Sequence, residues 1–73
     1  MMQYIKYNTP DGCKFTQDID GVHVRKGSME AVITRNGDGY NVQYVNRGDF
    51  WTNGFVTVEG DQRFRSLMFN LFG

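Results

Sequence analysis

The sequence predicts an α+β fold: an antiparallel β-meander of five to six short strands, arranged as a two-layer roll or a partly open small barrel, with one C-terminal helix packed on it. Three observations carry this. Short runs of alternating side chains between Gln3 and Glu59 are punctuated by Gly-, Asn- and Asp-rich turns, the pattern of strands joined by hairpins. The turns recur at short intervals, which favours local antiparallel pairing. Only residues 61–72 show a clear helical period.

Taken in order, Gln3–Asn8 alternates, with Tyr4, Lys6 and Asn8 on one side and Gln3, Ile5 and Tyr7 on the other, so a strand covered on both faces is expected. Pro10-Asp11-Gly12 supplies a turn, and Cys13–Gln17 returns, making a hairpin over residues 3–17. Asp18-Ile19-Asp20-Gly21 is the next turn. Val22–Lys26 follows with its valines inward and His23 and Arg25 outward. Gly27-Ser28 is a short connection to Met29–Arg35. Asn36-Gly37-Asp38-Gly39 is the strongest hairpin signal in the chain, and Tyr40–Asn46 returns from it. Arg47–Gly54 breaks the pattern, and Phe55–Glu59 is read as the last strand.

In the closing segment Phe64, Leu67, Met68 and Leu71 fall at i, i+3, i+4 and i+7, one apolar stripe that should lie on the sheet. Asp61 is placed to cap the N-terminus and Gly73 to end the helix. Phe72 widens the stripe at one edge and Phe69 lies further round, beyond Arg65. Either a bent sheet buries both rings, or they form an exposed aromatic edge for dimerisation or partner binding.

Seventy-three residues are expected to form one domain, with strands and hairpins over 3–59 and the helix over 61–72. A core this small is marginal, although one tryptophan, four tyrosines and six phenylalanines each bury a large area. Eight basic and eight acidic residues cancel. The chain therefore lacks the positive field that drives non-specific nucleic-acid binding. A single cysteine, Cys13, excludes an internal disulfide. No run is apolar and long enough to span a bilayer, and Met1–Tyr7 has no signal-peptide core. A soluble, cytoplasmic protein is expected, without membrane contact.

Motifs for catalysis are missing. His23 is the only histidine, Ser28 and Ser66 the only serines, and no phosphate loop, zinc-protease helix or Cys-x-x-Cys occurs,. An enzyme is not expected, and no cofactor is implied. Lys14 beside Cys13 could lower the thiol pKa, but a half-buried structural thiol explains it as well. Asp18 and Asp20 before Gly21 resemble part of a calcium loop, yet the remaining ligands are absent, so no metal is expected. Arg47-Gly48-Asp49 spells an adhesion tripeptide whose residues are equally ordinary turn residues.

The expected function is a small non-catalytic protein-interaction module, an inhibitor or accessory factor. Compact, motif-poor chains of this length are common among phage and other mobile-element products that block a host protein. The expected partner-binding residues are Arg47, Asp49, Phe50 and Trp51 in the aromatic loop, and Phe69 and Phe72 on the helix, which would also support a homodimer. Tryptophan, tyrosine and arginine are the residues enriched at binding hot spots. Alternatively, Phe50 or Trp51 folds back over the core. A second functional reading is a nucleic-acid-binding domain whose strands carry Arg25, Lys26, Arg35, Tyr40, Tyr44 and Arg47, bases stacking on rings between basic groups; Glu30, Asp38 and Asp49 lie among them. A third is a structural subunit that self-assembles through an exposed edge strand or the helix.

Overall fold

The computed structural model describes residues 1–48 and 52–73. Five antiparallel strands form one sheet in sequential order: β1 (Lys14–Asp18), β2 (Gly21–Lys26), β3 (Met29–Asn36), β4 (Gly39–Asn46) and β5 (Thr52–Glu59). The sheet is open, with β1 and β5 at its edges, so the α+β meander holds as a sheet with helices on one face rather than as a partly open barrel. Three two-residue loops set the register. Gly27 (φ 60°) and Gly37 (φ 59°) stand first in the β2–β3 and β3–β4 loops, the glycine-first turn whose twist suits a hairpin. In the β1–β2 loop the Asp18 carboxylate accepts the Asp20 N–H at 2.8 Å, a side chain standing in for a backbone turn bond.

The first element corrects the expectation of a hairpin over 3–17. Met2–Tyr7 is a short helix, α1, and β1 has no partner before it. The burial of Ile5, Asn8 and Thr9, with Met2 and Tyr4 half-buried, follows helical rather than two-residue spacing. Its end is tied locally: Asn8 Nδ2 donates to the Tyr4 carbonyl at 3.0 Å and Thr9 Oγ1 to the Ile5 carbonyl at 2.6 Å. These bonds satisfy carbonyls that a helix end leaves free, and Pro10 cannot continue the helix. The strand count is therefore five, and there are two helices rather than one.

The second helix, α2, spans Asp61–Phe72 as expected. Gly60, not Asp61, is its N-cap residue, and no side chain caps it. Asp61 lies inside the first turn, where its charge still suits the helix dipole, and its carboxylate accepts the Tyr4 hydroxyl of α1. At the other end the Gly73 N–H donates to the Phe69 carbonyl at 2.9 Å. Lys26 Nζ donates to the Phe72 carbonyl at 3.0 Å, placing a cation at the negative end of the dipole.

Both helices contribute to the core on one face of the sheet. Val22, Val24, Ala31, Ile33, Tyr40 and Val42 form its floor; Ile5, Phe64, Met68 and Phe72 cover it. Tyr4, Tyr40 and Phe64 pack ring to ring, with centroids 5.0 to 5.6 Å apart. β5 starts three residues earlier than expected. Asn53 and Gly54 are poor strand formers, but Tyr44 lies directly opposite Gly54, and a Cβ there would stand 2.3 Å from the Tyr44 hydroxyl oxygen. The glycine makes room for the ring, and the ring covers the glycine.

Two predictions follow from this packing. Phe64→Ala should cost about 3–5 kcal/mol, most of the stability of a chain this short, whereas Phe69→Ala, at an exposed position, should cost under about 1 kcal/mol; denaturant unfolding checks both. Tyr4 titrates at about 12, above its ordinary 10.0, chiefly because its hydroxyl is held by Asp61 and secondly because it is partly buried. A raised folded-state pKa favours the protonated fold, so this contribution is intact below the ordinary value and fades as pH rises through about 12,. Alkaline unfolding should show that step in the wild type and lose it in Tyr4→Phe, read by tyrosinate absorbance against circular dichroism.

Candidate functional site

The face of the sheet away from the helices is uncovered among the described residues. Strand alternation places Lys14, Thr16, His23, Arg25, Glu30, Val32, Asn41, Gln43, Val45, Asn53, Phe55 and Thr57 on it. Across its middle the register lines up Thr16, His23, Val32, Gln43 and Phe55, one from each strand. Phe55 leaves 62 % of its surface to solvent. It lies on the parity opposite to Val56 and Val58, which face the helices.

Phe55 stands between two shallow depressions that share Val32 and Gln43. The larger, about 600 Å³, adds Glu30, Val45, Arg47 and Asn53; the smaller, about 290 Å³, reaches His23 and Asn41. Together they form a furrow over the central strands, floored by Val32, Gln43 and Val45, with Glu30 and Arg47 at one end and Asp20 and His23 at the other. Arg47 is held at one end by backbone: its N–H donates to the Ser28 carbonyl at 3.0 Å. Asn46 Oδ1 accepts from Ser28 Oγ at 2.8 Å and from the Gly48 N–H at 2.9 Å. The Arg47 guanidinium reaches Glu30 at 3.8 Å, both partly open to water, so the pair adds little stability and leaves both charges available.

A second patch lies on the helical side. Arg65 stacks over Phe69 at 5.0 Å and Tyr7 at 5.9 Å from the ring centroids, and its Nη1 donates to the Tyr7 carbonyl at 3.2 Å. Tyr7 is 80 % exposed and Phe69 42 %. Of the two helix rings expected at a contact edge, Phe69 is exposed, but Phe72 is 2 % exposed and belongs to the core. The helix edge is thus completed by Tyr7 from α1 rather than by Phe72, because α1 lies beside that flank.

Arg47 lies at the mouth of the furrow, while Asp49, Phe50 and Trp51 fall outside the described residues. The six residues considered for nucleic acid do not share a face. Arg25 and Arg47 are on the open side. Tyr40 is buried in the core, Tyr44 lies over Gly54 on the core side, Arg35 donates to the Tyr40 hydroxyl at 3.0 Å, and Lys26 holds the end of α2. Phe55 was missed as a candidate, although its alternation with Val56 and Val58 marks it as outward.

The β1–β2 hairpin gathers Asp18, Asp20 and His23, whose donor atoms lie within 4.8 Å of one another. One imidazole and two carboxylates form a donor set for a transition metal rather than for calcium. Internal contacts account for the Asp18 carboxylate. The Asp20 N–H is the main cause that holds the Asp18 carboxyl below its ordinary 3.8, and the nearby His23 pulls the same way. His23 Nε2 approaches Asp18 Oδ2 at 3.0 Å, at an angle short of a directed hydrogen bond. Cys13 is half-buried, and burial pushes its thiol pKa up; the cation that opposes this is Lys26, not Lys14. That is the reverse of what an activated thiolate needs.

No described helix is long and apolar enough to cross a membrane. Comparison with protein-family models, with curated proteins and with solved structures finds no match to this chain.

Proposed function

We propose that this chain is a small non-catalytic protein-binding module that docks a partner polypeptide on the open face of its sheet. The observation that supports this most is the furrow around Phe55. A large ring, two half-buried valines and a mouth of opposite charges are the makings of an interface: an apolar centre with a polar rim. The Tyr7–Arg65–Phe69 patch offers hot-spot residue types on the opposite side, but its Arg65 is already engaged by the two rings and the Tyr7 carbonyl. Such a module acts by occupying its partner's surface, as an inhibitor or an accessory factor. Nucleic acid is the weaker reading because the rings and cations it would use are divided between the open face and the core.

The test is affinity capture from lysate of the source cells, with and without nuclease, using wild type, Phe55→Asp and Gln43→Arg as baits. Both substitutions are at exposed positions and should change stability by less than about 1 kcal/mol. The expected result is a protein partner that survives nuclease and is lost with both variants. Capture unchanged by either substitution, or lost on nuclease treatment, would overturn the reading.

A further inference from the structure

The two edges of the sheet are built differently. β1 is five residues long, carries Lys14 and Asp18 at its ends and follows a Pro-Asp-Gly turn. The Lys6 ammonium lies over its Phe15 ring at 5.6 Å. Short length, end charges and a covering side chain are the means by which proteins stop an edge from pairing. β5 is not short, and it carries a charge at one end only. It is eight residues long, pairs with β4 without a bulge from Thr52 to Glu59, and holds no proline, lysine or arginine; its one charge is the terminal Glu59. Among the described residues, no segment pairs with its outer edge.

We propose that β5 is the seam of a homodimer, pairing antiparallel with β5 of a second copy across a two-fold axis to give one continuous ten-stranded sheet. Three features select a second copy as the occupant. A two-fold axis perpendicular to the sheet pairs residues of the same parity, so open face continues open face and core face continues core face. In the register centred on Phe55, every opposed pair from Thr52 to Val58 is uncharged, and Glu59 lies beyond those pairs, clear of Glu59 of the second copy. Finally, apolar surface remains where the second copy would lie. Val56 is half-buried on the core side of the seam. Leu67 and Leu71 are half-buried on the flank of α2 opposite Arg65 and Phe69, which face α1, and α2 follows β5 directly through Gly60.

A stable interface takes about 800 Å² from each partner, roughly a sixth of the 4897 Å² this chain exposes. Paired backbone along seven residues together with the Leu67–Leu71 flank is a seam of that kind. The inference does not depend on the partner reading above. It concerns the edge rather than the face, and its test uses purified protein alone.

Sedimentation equilibrium from micromolar to millimolar protein should show the mass rising from 8.4 kDa towards twice that value. Over the same range, amide exchange should show the β5 N–H groups directed away from β4 gaining protection as dimer forms. Val56→Lys puts an inward-pointing charge on the edge and should weaken association by at least about tenfold. If that variant fails to fold, Asn53→Lys, at an exposed position of the same strand, should weaken it in the same direction. A single 8.4 kDa species throughout would overturn the proposal. So would a dimer whose β5 amides exchange as fast as in dilute solution, since it would be joined elsewhere.

Discussion

The Tyr4–Tyr40–Phe64 contact is the interaction on which the rest depends. Each ring comes from a different element: α1, the start of β4 and the first turns of α2. Neither helix is stable by itself, at six and twelve residues, because isolated helices of that length do not repay their nucleation cost in water. They persist because they are docked. The sheet, in turn, has one apolar face that must be covered. The three rings meet where those needs coincide, and the Tyr4–Asp61 bond beside them ties α1 to α2. Removing any one partner exposes the other two.

Most of the sheet was legible because glycine marks its turns. Gly27 and Gly37 need positive φ, and that requirement is local, so residue identity alone carried it. The helix at 61–72 was legible for the opposite reason: twelve residues are enough for a 3.6-residue period to separate from alternation. Residues 2–7 are too few. Met2, Ile5 and Thr9 fit a helix, while Gln3, Ile5 and Tyr7 fit a strand, and the β-favouring tyrosines and isoleucine tipped the reading the wrong way. What decides for the helix is tertiary: burial of Ile5 in the core and the bonds from Asn8 and Thr9 to its last carbonyls. The start of β5 was hidden likewise, since Gly54 is a poor strand residue until Tyr44 is seen across from it.

The site was legible in parity but not in cover. Alternation correctly separated Tyr40, Val42 and Tyr44 from Asn41, Gln43 and Val45. It could not say which set the helices would lie on, and the aromatic set is the buried one because rings bury the most area. The same limit applied to the helix. Phe69 and Phe72 are both off the central stripe, yet α2 is rotated so that Phe72 completes the core and Phe69 stacks on Arg65.

A chain of this size has apolar residues enough for one core, so those outside it show where the fold expects contact. On the open face they are unevenly spread. Near β1 and β2 it carries Lys14, Thr16, His23 and Arg25; near β4 and β5 it carries Val45 and Phe55. On the core side Val56, Leu67 and Leu71 are half-buried, as are Phe15 and Met29 on other strands. The furrow and the less protected edge share one strand, with Phe55 facing the furrow and Val56 facing the helices. Two copies joined along that strand would set two furrows side by side on one continuous surface. A partner touching both would engage the second at the high effective concentration that tethering gives, so pairing at the edge would strengthen binding on the face without any new side-chain contact.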